Sequence, residues 1–232
     1  MSPYTIQGLF HLYFDLVLFI ISGKILYHHW KTPNLIGKYL GLGFFLAAIE
    51  YLVLSLSLFL FPTDPVMIRI SGIIAWPFAY LATGTTWLAI GVLYPKFPAK
   101  MFFWVIMAVA VLSVYLYGFP FRPAAYNEAG LVTWDHPPIV IIMGALFFFG
   151  TFGSIGITFI YRTLKQKEVV KGLLMGLGMF SSLLFLPTTY QVKTFESYIF
   201  LSLLTAVGFT LMMLGVLWPT KTSPQQPTPT SP

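Results

Sequence analysis

Long runs of apolar residues, separated by short polar breaks, make up most of this chain. Seven runs are long enough to cross about 30 Å of hydrocarbon as a helix, which requires roughly 20 residues. They do not alternate apolar and polar positions, as the strands of a membrane barrel do. The pattern therefore predicts an all-α integral membrane protein, a seven-transmembrane helix bundle. Its predicted spans are Ile6–Tyr27, Leu35–Phe61, Val66–Leu93, Ala99–Gly118, Ile139–Tyr161, Val170–Leu186 and Phe195–Leu217.

The breaks between the runs are rich in proline, which interrupts helices. Examples are Thr32-Pro33-Asn34, Tyr94-Pro95-Lys96 and Pro137-Pro138. The last residues, 219–232, are mostly proline, threonine, serine and glutamine and have too little apolar surface to form a core. The sequence thus predicts one transmembrane domain over residues 1–218, followed by a disordered cytoplasmic tail at 219–232.

The composition supports a membrane protein and excludes several kinds of chemical site. Hydrophobic residues make up 57% of the chain and charged residues only 9%, whereas soluble domains carry far more charge. The absence of cysteine excludes disulfides, thiolate metal sites and cysteine nucleophiles. The net charge of +6 does not indicate nucleic acid, because lysine and arginine collect on one face of membrane proteins. The expected surroundings are the lipid bilayer of a plasma or cytoplasmic membrane.

The positions of lysine and arginine predict the orientation of the bundle. Of the 13 basic residues, ten fall at one end of the predicted spans and three, Arg69, Arg122 and Lys193, at the other. The side richer in these residues is normally cytoplasmic. The sequence therefore predicts that the N-terminus lies outside and the C-terminus in the cytoplasm.

Ionisable residues inside the predicted spans are the main indication of a functional site. His11 and Asp15 lie in the first span and Glu50 in the second, where a charge costs about 2.5–3.5 kcal/mol on insertion scales. At about 100° per residue, His11, Asp15 and Ser22 fall within about 80° of Gln7. We call these four residues the polar stripe. Such a stripe must face protein or water rather than lipid.

Depth suggests that the two carboxylates share one site. Asp15 lies about 13 Å below the outer end of the first span, and Glu50 at a similar depth in the second. We expect these helices to be antiparallel neighbours, so the two groups would share one interhelical space and one proton. Trp76, followed by the helix-kinking Pro77, has a comparable depth. Arg69 is expected to extend to the outer surface or to pair with Asp64 or Glu196.

Two interpretations of these residues remain open. Either His11, Asp15, Glu50, Arg69 and Trp76 line a polar cavity in the outer half of the bundle, or they are hydrogen-bonded clamps without a ligand. The outer-loop sequence Trp134-Asp135-His136 would cap such a cavity, bind a metal or lie in solvent. The longest outer loop, Phe119–His136, is long enough to act as a lid.

No motif of a known seven-helix family identifies the function. The last span lacks the lysine of a retinal protein, and Asp-Arg-Tyr and Asn-Pro-x-x-Tyr of G-protein-coupled receptors are missing. The leading hypothesis is a non-enzymatic bundle with a sensory or accessory role, which binds a small or lipophilic ligand or a membrane partner. The alternatives are a proton-coupled transporter that uses Asp15 and Glu50, and a membrane enzyme or haem protein. No catalytic residue or metal ligand is assigned, and a cofactor is left unknown.

Overall fold

The structure, a computed structural model, describes residues 1–133, 138–165, 169–189 and 192–219. Helices occupy all seven predicted windows. The main differences are at helix ends, since the first and fifth helices continue beyond Tyr27 and Tyr161. In chain order the helices are α1 (Pro3–Lys31), α2 (Leu35–Leu60), α3 (Pro65–Leu93), α4 (Ala99–Gly118), α5 (Pro138–Lys165), α6 (Val169–Thr189) and α7 (Phe195–Leu217).

Most of these helices are long and apolar enough to cross a membrane. Within the described residues, α1 to α5 and α7 contain apolar segments long enough to cross a bilayer, which makes six candidate spans. The apolar segment described in α6, Val169–Ser182, is shorter. The chain is therefore a nearly all-helical, polytopic membrane protein, while seven spans and their orientation stay predictions. The tail predicted for 219–232 lies outside the described residues, apart from Pro219.

Polar side chains cap the N-terminal ends of several helices by accepting hydrogen bonds from otherwise unpaired backbone N–H groups. Ser2 caps α1 through the N–H of Thr5. Asn34 caps α2, and Asp64 caps α3 by accepting from two N–H groups at 3.0 Å. Thr194 caps α7 in the same way. These caps fix where the chain turns between consecutive helices.

The helices pack as antiparallel neighbours, and α7 returns to contact α1. α3 is in contact with α2, α4 and α5. Aromatic rings fill the space between α1, α2 and α7: the Phe14 ring lies 4.9 Å from that of Phe209 and 5.5 Å from that of Tyr51. This aromatic cluster lies directly beside the polar stripe.

α6 and α7 approach each other so closely that glycine is required between them. A Cβ atom at Gly178 would lie 2.6 Å from the carbonyl oxygen of Gly208, and one at Gly208 would lie 2.9 Å from the carbonyl oxygen of Gly178. Both distances are shorter than van der Waals contact with backbone allows. Small residues permit such contacts between membrane helices.

A short hairpin departs from the predicted all-helical fold. Strands β1 (Ala125–Tyr126) and β2 (Val132–Thr133) pair antiparallel, and we refer to Ala125–Thr133 as the hairpin. Asn127 holds its turn, since the Asn127 side chain accepts hydrogen bonds from the N–H groups of Ala129 and Leu131, each at 3.0 Å. Gly130 supplies a φ of 70°, which glycine adopts without steric cost.

Candidate functional site

The polar stripe of α1 is buried in protein, as predicted. The exposed fractions of Gln7, His11 and Asp15 are 3%, 3% and 2%, and that of Ser22 is 1%. Ser22 donates a hydrogen bond to the Gly41 carbonyl of α2 at 3.0 Å. The stripe therefore faces neighbouring helices rather than lipid.

Two atoms of the stripe are buried without a hydrogen-bond partner. They are Nδ1 of His11 and Oδ1 of Asp15, which belong to side chains one helical turn apart. Leaving such an atom unsatisfied costs about 1–3 kcal/mol. Native proteins rarely accept this cost unless a water molecule or ligand supplies the partner. A molecule that offers both a donor and an acceptor would satisfy this pair.

Aromatic side chains form the wall next to these atoms. The His11 ring lies 5.7 Å from the Tyr51 ring at an interplanar angle of 62°, which is an edge-on contact. The Phe14 ring also contacts Tyr51, with 5.5 Å between the ring centroids. His11 thus has one aromatic side and one polar side, a combination typical of sites that bind small organic molecules.

Asp15 faces α2. Gly8 lies two turns before Asp15 on the same face, and a Cβ atom at Gly8 would lie 3.3 Å from the Cβ of Leu58. Ser22 lies two turns after Asp15 and bonds to Gly41. The contacts on both sides of Asp15 are therefore made with α2.

Glu50, in contrast, lies on the side of α2 that faces α3. Gly43 shares its face, two turns away, and a Cβ atom at Gly43 would lie 2.8 Å from the Thr86 hydroxyl and 3.2 Å from the Ala82 carbonyl. Glu50 is also within electrostatic reach of the Tyr80 hydroxyl. These contacts place Asp15 on the face of α1 towards α2 and Glu50 on the face of α2 towards α3, which argues against one shared space. Equal depth did not reveal this, because depth carries no information about the direction of a side chain.

Trp76 belongs with Glu50 rather than with His11. The Trp76 ring lies 5.7 Å from the Tyr80 ring and 6.4 Å from the Tyr117 ring. The Tyr80 hydroxyl shares a hydrogen bond of 2.8 Å with Ser113 of α4. These residues form a second group, between α2, α3 and α4, that is separate from the polar stripe.

Arg69 differs from its predicted position. Its side chain is only 3% exposed, so the prediction that it extends outward is wrong. Nη2 of Arg69 donates a hydrogen bond to the Tyr117 carbonyl at 2.5 Å, and its guanidinium carbon lies 3.4 Å from the Tyr117 ring centroid. Asp64, one of its predicted partners, caps α3 through Oδ1. The last turn of α4 supplies this acceptor because helix C-termini present unpaired carbonyl groups.

The hairpin covers the end of the polar stripe at which α1 begins. Nε2 of Gln7 donates to the Val132 carbonyl at 3.2 Å, and Oε1 of Gln7 accepts from the Val132 N–H at 3.0 Å. The Val132 side chain is buried with Leu54 and Leu58 of α2. The hairpin lies within the loop Phe119–His136, for which a lid was predicted. The sequence signal for this hairpin is the pair of turn residues Asn127 and Gly130, followed by the β-favouring Val132-Thr133.

Tyr126 anchors strand β1 of the hairpin through a hydrogen bond. Its hydroxyl donates to the Pro62 carbonyl at 2.8 Å. Partial burial raises the pKa of Tyr126, and the nearby Tyr4 and Asp64 raise it further. The phenol therefore stays protonated, and able to donate this hydrogen bond, at neutral pH.

The described residues offer no set of ligands for a metal. They contain no group of three or more His, Asp or Glu side chains that could hold an ion. Trp134, Asp135 and His136, which were considered for a cap, a metal site or a solvent-exposed loop, lie outside the described residues. Comparison of the chain with protein-family models, curated proteins and solved structures finds no match.

Proposed function

We propose that this protein is a seven-span, non-enzymatic membrane bundle that binds a small ligand at His11 and Asp15, in a sensory or accessory role. In this proposal the N-terminus and the hairpin lie outside the cell and the C-terminus lies in the cytoplasm. The ligand site then lies in the outer half of the bundle and is reached from outside.

One observation carries the proposal: two polar atoms on neighbouring turns of α1, His11 Nδ1 and Asp15 Oδ1, are buried without a partner. A hydrogen-bonded clamp, the competing interpretation, would satisfy these atoms with protein groups. The edge-on contact with Tyr51 adds an apolar wall. The combination favours a small molecule with a hydrogen-bond donor, an acceptor and an apolar part.

The proton-coupled transporter has weaker support. A direct relay between Asp15 and Glu50 requires close carboxyl groups. The contacts of Gly8 and Ser22 with α2, and of Gly43 with α3, argue against that closeness. A membrane partner in place of a soluble ligand stays an alternative, which the experiment below distinguishes.

The test is native mass spectrometry of the protein released from a mild detergent. We expect the unsubstituted chain to retain a small molecule, and Asp15→Asn and His11→Phe to lose it. Ser22→Ala is the matched control, because Ser22 lies on the same stripe but already bonds to Gly41. A chain that carries no bound molecule, or identical bound masses in all four proteins, would refute the proposal. A retained protein of larger mass would favour a membrane partner.

A further inference from the structure

The hairpin is tied to the helix ends at several separate places. On the β1 side, the N–H of Ala124 donates to the Pro65 carbonyl at 2.9 Å, and Tyr126 bonds to Pro62. Pro62 lies in the connection between α2 and α3, and Pro65 is the first residue of α3. The β1 side is thus anchored by one backbone and one side-chain hydrogen bond where that connection enters α3.

The β2 side is held mainly by one residue of α1. Gln7 is the only residue among those described in α1 that exchanges hydrogen bonds with the hairpin, and it uses both ends of its amide to do so. In this way the Gln7 side chain pairs with the Val132 backbone as a third strand would. At the turn, Gly130 packs against the ring of Pro3.

Gln7 also belongs to the polar stripe, one turn before His11. The group that holds the hairpin is therefore next to the group proposed to bind the ligand. If the hairpin moves away, the donor and acceptor of Gln7 become available on the same side of α1 as His11 and Asp15. Closure of the hairpin buries the amide of Gln7, at the end of the polar stripe that lies nearest to the hairpin.

We propose that the hairpin is a lid with Gln7 as its latch, and that a ligand enters from the aqueous side beneath β2. The place where the connection between α2 and α3 enters α3 serves as the hinge, through Pro62 and Pro65. This inference rests on the proposed function, since it assigns the entry route to the same site. It excludes lateral entry from the lipid between α1 and α2.

The latch itself consists of two hydrogen bonds. The hairpin is also held by the packing of Val132 against Leu54 and Leu58, and by a hydrogen bond of 3.3 Å that Asn127 donates to the Val192 carbonyl. Net contributions of single hydrogen bonds are small because water replaces the partners that are lost. Segments held by few such bonds open locally without global unfolding. Replacing Gln7 with alanine removes both hydrogen bonds of the latch and leaves the hinge in place. The lid should then open more often.

The test measures access of a water-soluble reagent to the stripe. The chain has no cysteine, so Asp15→Cys introduces a single thiol beneath the lid. The probe is a membrane-impermeant trimethylammonium-ethyl methanethiosulfonate, added to protein in lipid nanodiscs. We expect slow labelling of Asp15→Cys alone and labelling roughly tenfold faster or more when Gln7→Ala is added. Ser22→Ala, which removes a buried hydrogen bond on the same helix, should leave the rate unchanged.

A disulfide that locks the lid provides a second measurement. A Cβ atom at Gly130 would lie 3.7 Å from the Cβ of Pro3, a separation suited to a disulfide. The thiol at position 15 is about 18 Å further along α1 and is too distant to pair with either. After oxidation of Pro3→Cys/Gly130→Cys, labelling at position 15 should fall sharply, and reduction should restore it.

Labelling that is unaffected by both Gln7→Ala and the disulfide would overturn the lid. Equal acceleration by Ser22→Ala would do the same, because it would indicate general loosening of α1. No ligand is used in this experiment. Loss of the bound molecule in mass spectrometry would therefore test the site, and unchanged labelling would test the lid, independently of each other.

Discussion

The guanidinium carbon of Arg69 lies over the ring of Tyr117, 3.4 Å from its centroid, and Nη2 of Arg69 donates to the carbonyl of the same residue. Arg69 is in the second turn of α3, and Tyr117 is in the last turn of α4. The contact therefore joins the start of one helix to the end of the next. A buried arginine needs such partners, because removing an unpaired charge from water is costly.

Arg69→Lys should destabilise the protein although it preserves the charge. An ammonium group cannot stack on a ring as a planar guanidinium does while it also donates to the carbonyl beside it. We expect a loss of roughly 1–3 kcal/mol, measured as a lower midpoint in thermal unfolding of the detergent-solubilised protein. Arg122→Lys is the control, because Arg122 is exposed. Equal midpoints for Arg69→Lys and the unsubstituted protein would contradict the role of the stacked contact.

Gly208→Ala should loosen the contact between α6 and α7. Its new methyl group would lie 2.9 Å from both the Gly178 carbonyl oxygen and the Ser182 backbone nitrogen, and backbone cannot move away as a flexible side chain can. Overpacking of this kind costs about 1–3 kcal/mol. Gly23→Ala is the matched control, because nothing lies within 4 Å of a Cβ atom there. The control should stabilise α1 by about 0.5–1 kcal/mol. Equal stability of both variants would show that the two helices separate at little cost.

The helices were predictable from the sequence, whereas the partners of the polar residues were not. Apolar run length and proline breaks located the helices because the bilayer imposes a minimum length. The direction in which Glu50 points depends on which neighbour packs against each face of α2, and that is a property of the assembled bundle. Arg69 was misplaced for a related reason, since its acceptor is a backbone carbonyl 48 positions away in sequence. Burial of the polar stripe was predictable because helical periodicity alone placed four polar groups on one face.

The orientation can be tested with reporters active only in the cytoplasm. Because lysine and arginine collect at one end of the helices, a fusion after Trp218 should be active and one within Phe119–His136 inactive. A fusion at Lys96, in the connection between α3 and α4, serves as the internal control and should be active. The opposite pattern at all three positions would reverse the bundle, and the hairpin would then face the cytoplasm. Activity at Trp218 that matches the outer loop would instead imply an even number of spans.

A double-mutant cycle on Asp15 and Glu50 separates the binding site from the proton relay. Asp15 faces α2 near Tyr51, whereas Glu50 faces α3 near Tyr80. Residues without shared partners have nearly additive effects, with interaction energies below about 0.5 kcal/mol. We therefore expect Asp15→Asn and Glu50→Gln to change the free energy of unfolding independently, as measured by titration with a denaturing detergent.

Two carboxyls that share one proton would couple far more strongly. Either substitution alone would already remove their mutual interaction, so the two effects on the free energy of unfolding would not add. A coupling well above that value would favour the relay. In that case proton-driven uptake into vesicles, abolished by each single substitution, would decide for a transporter.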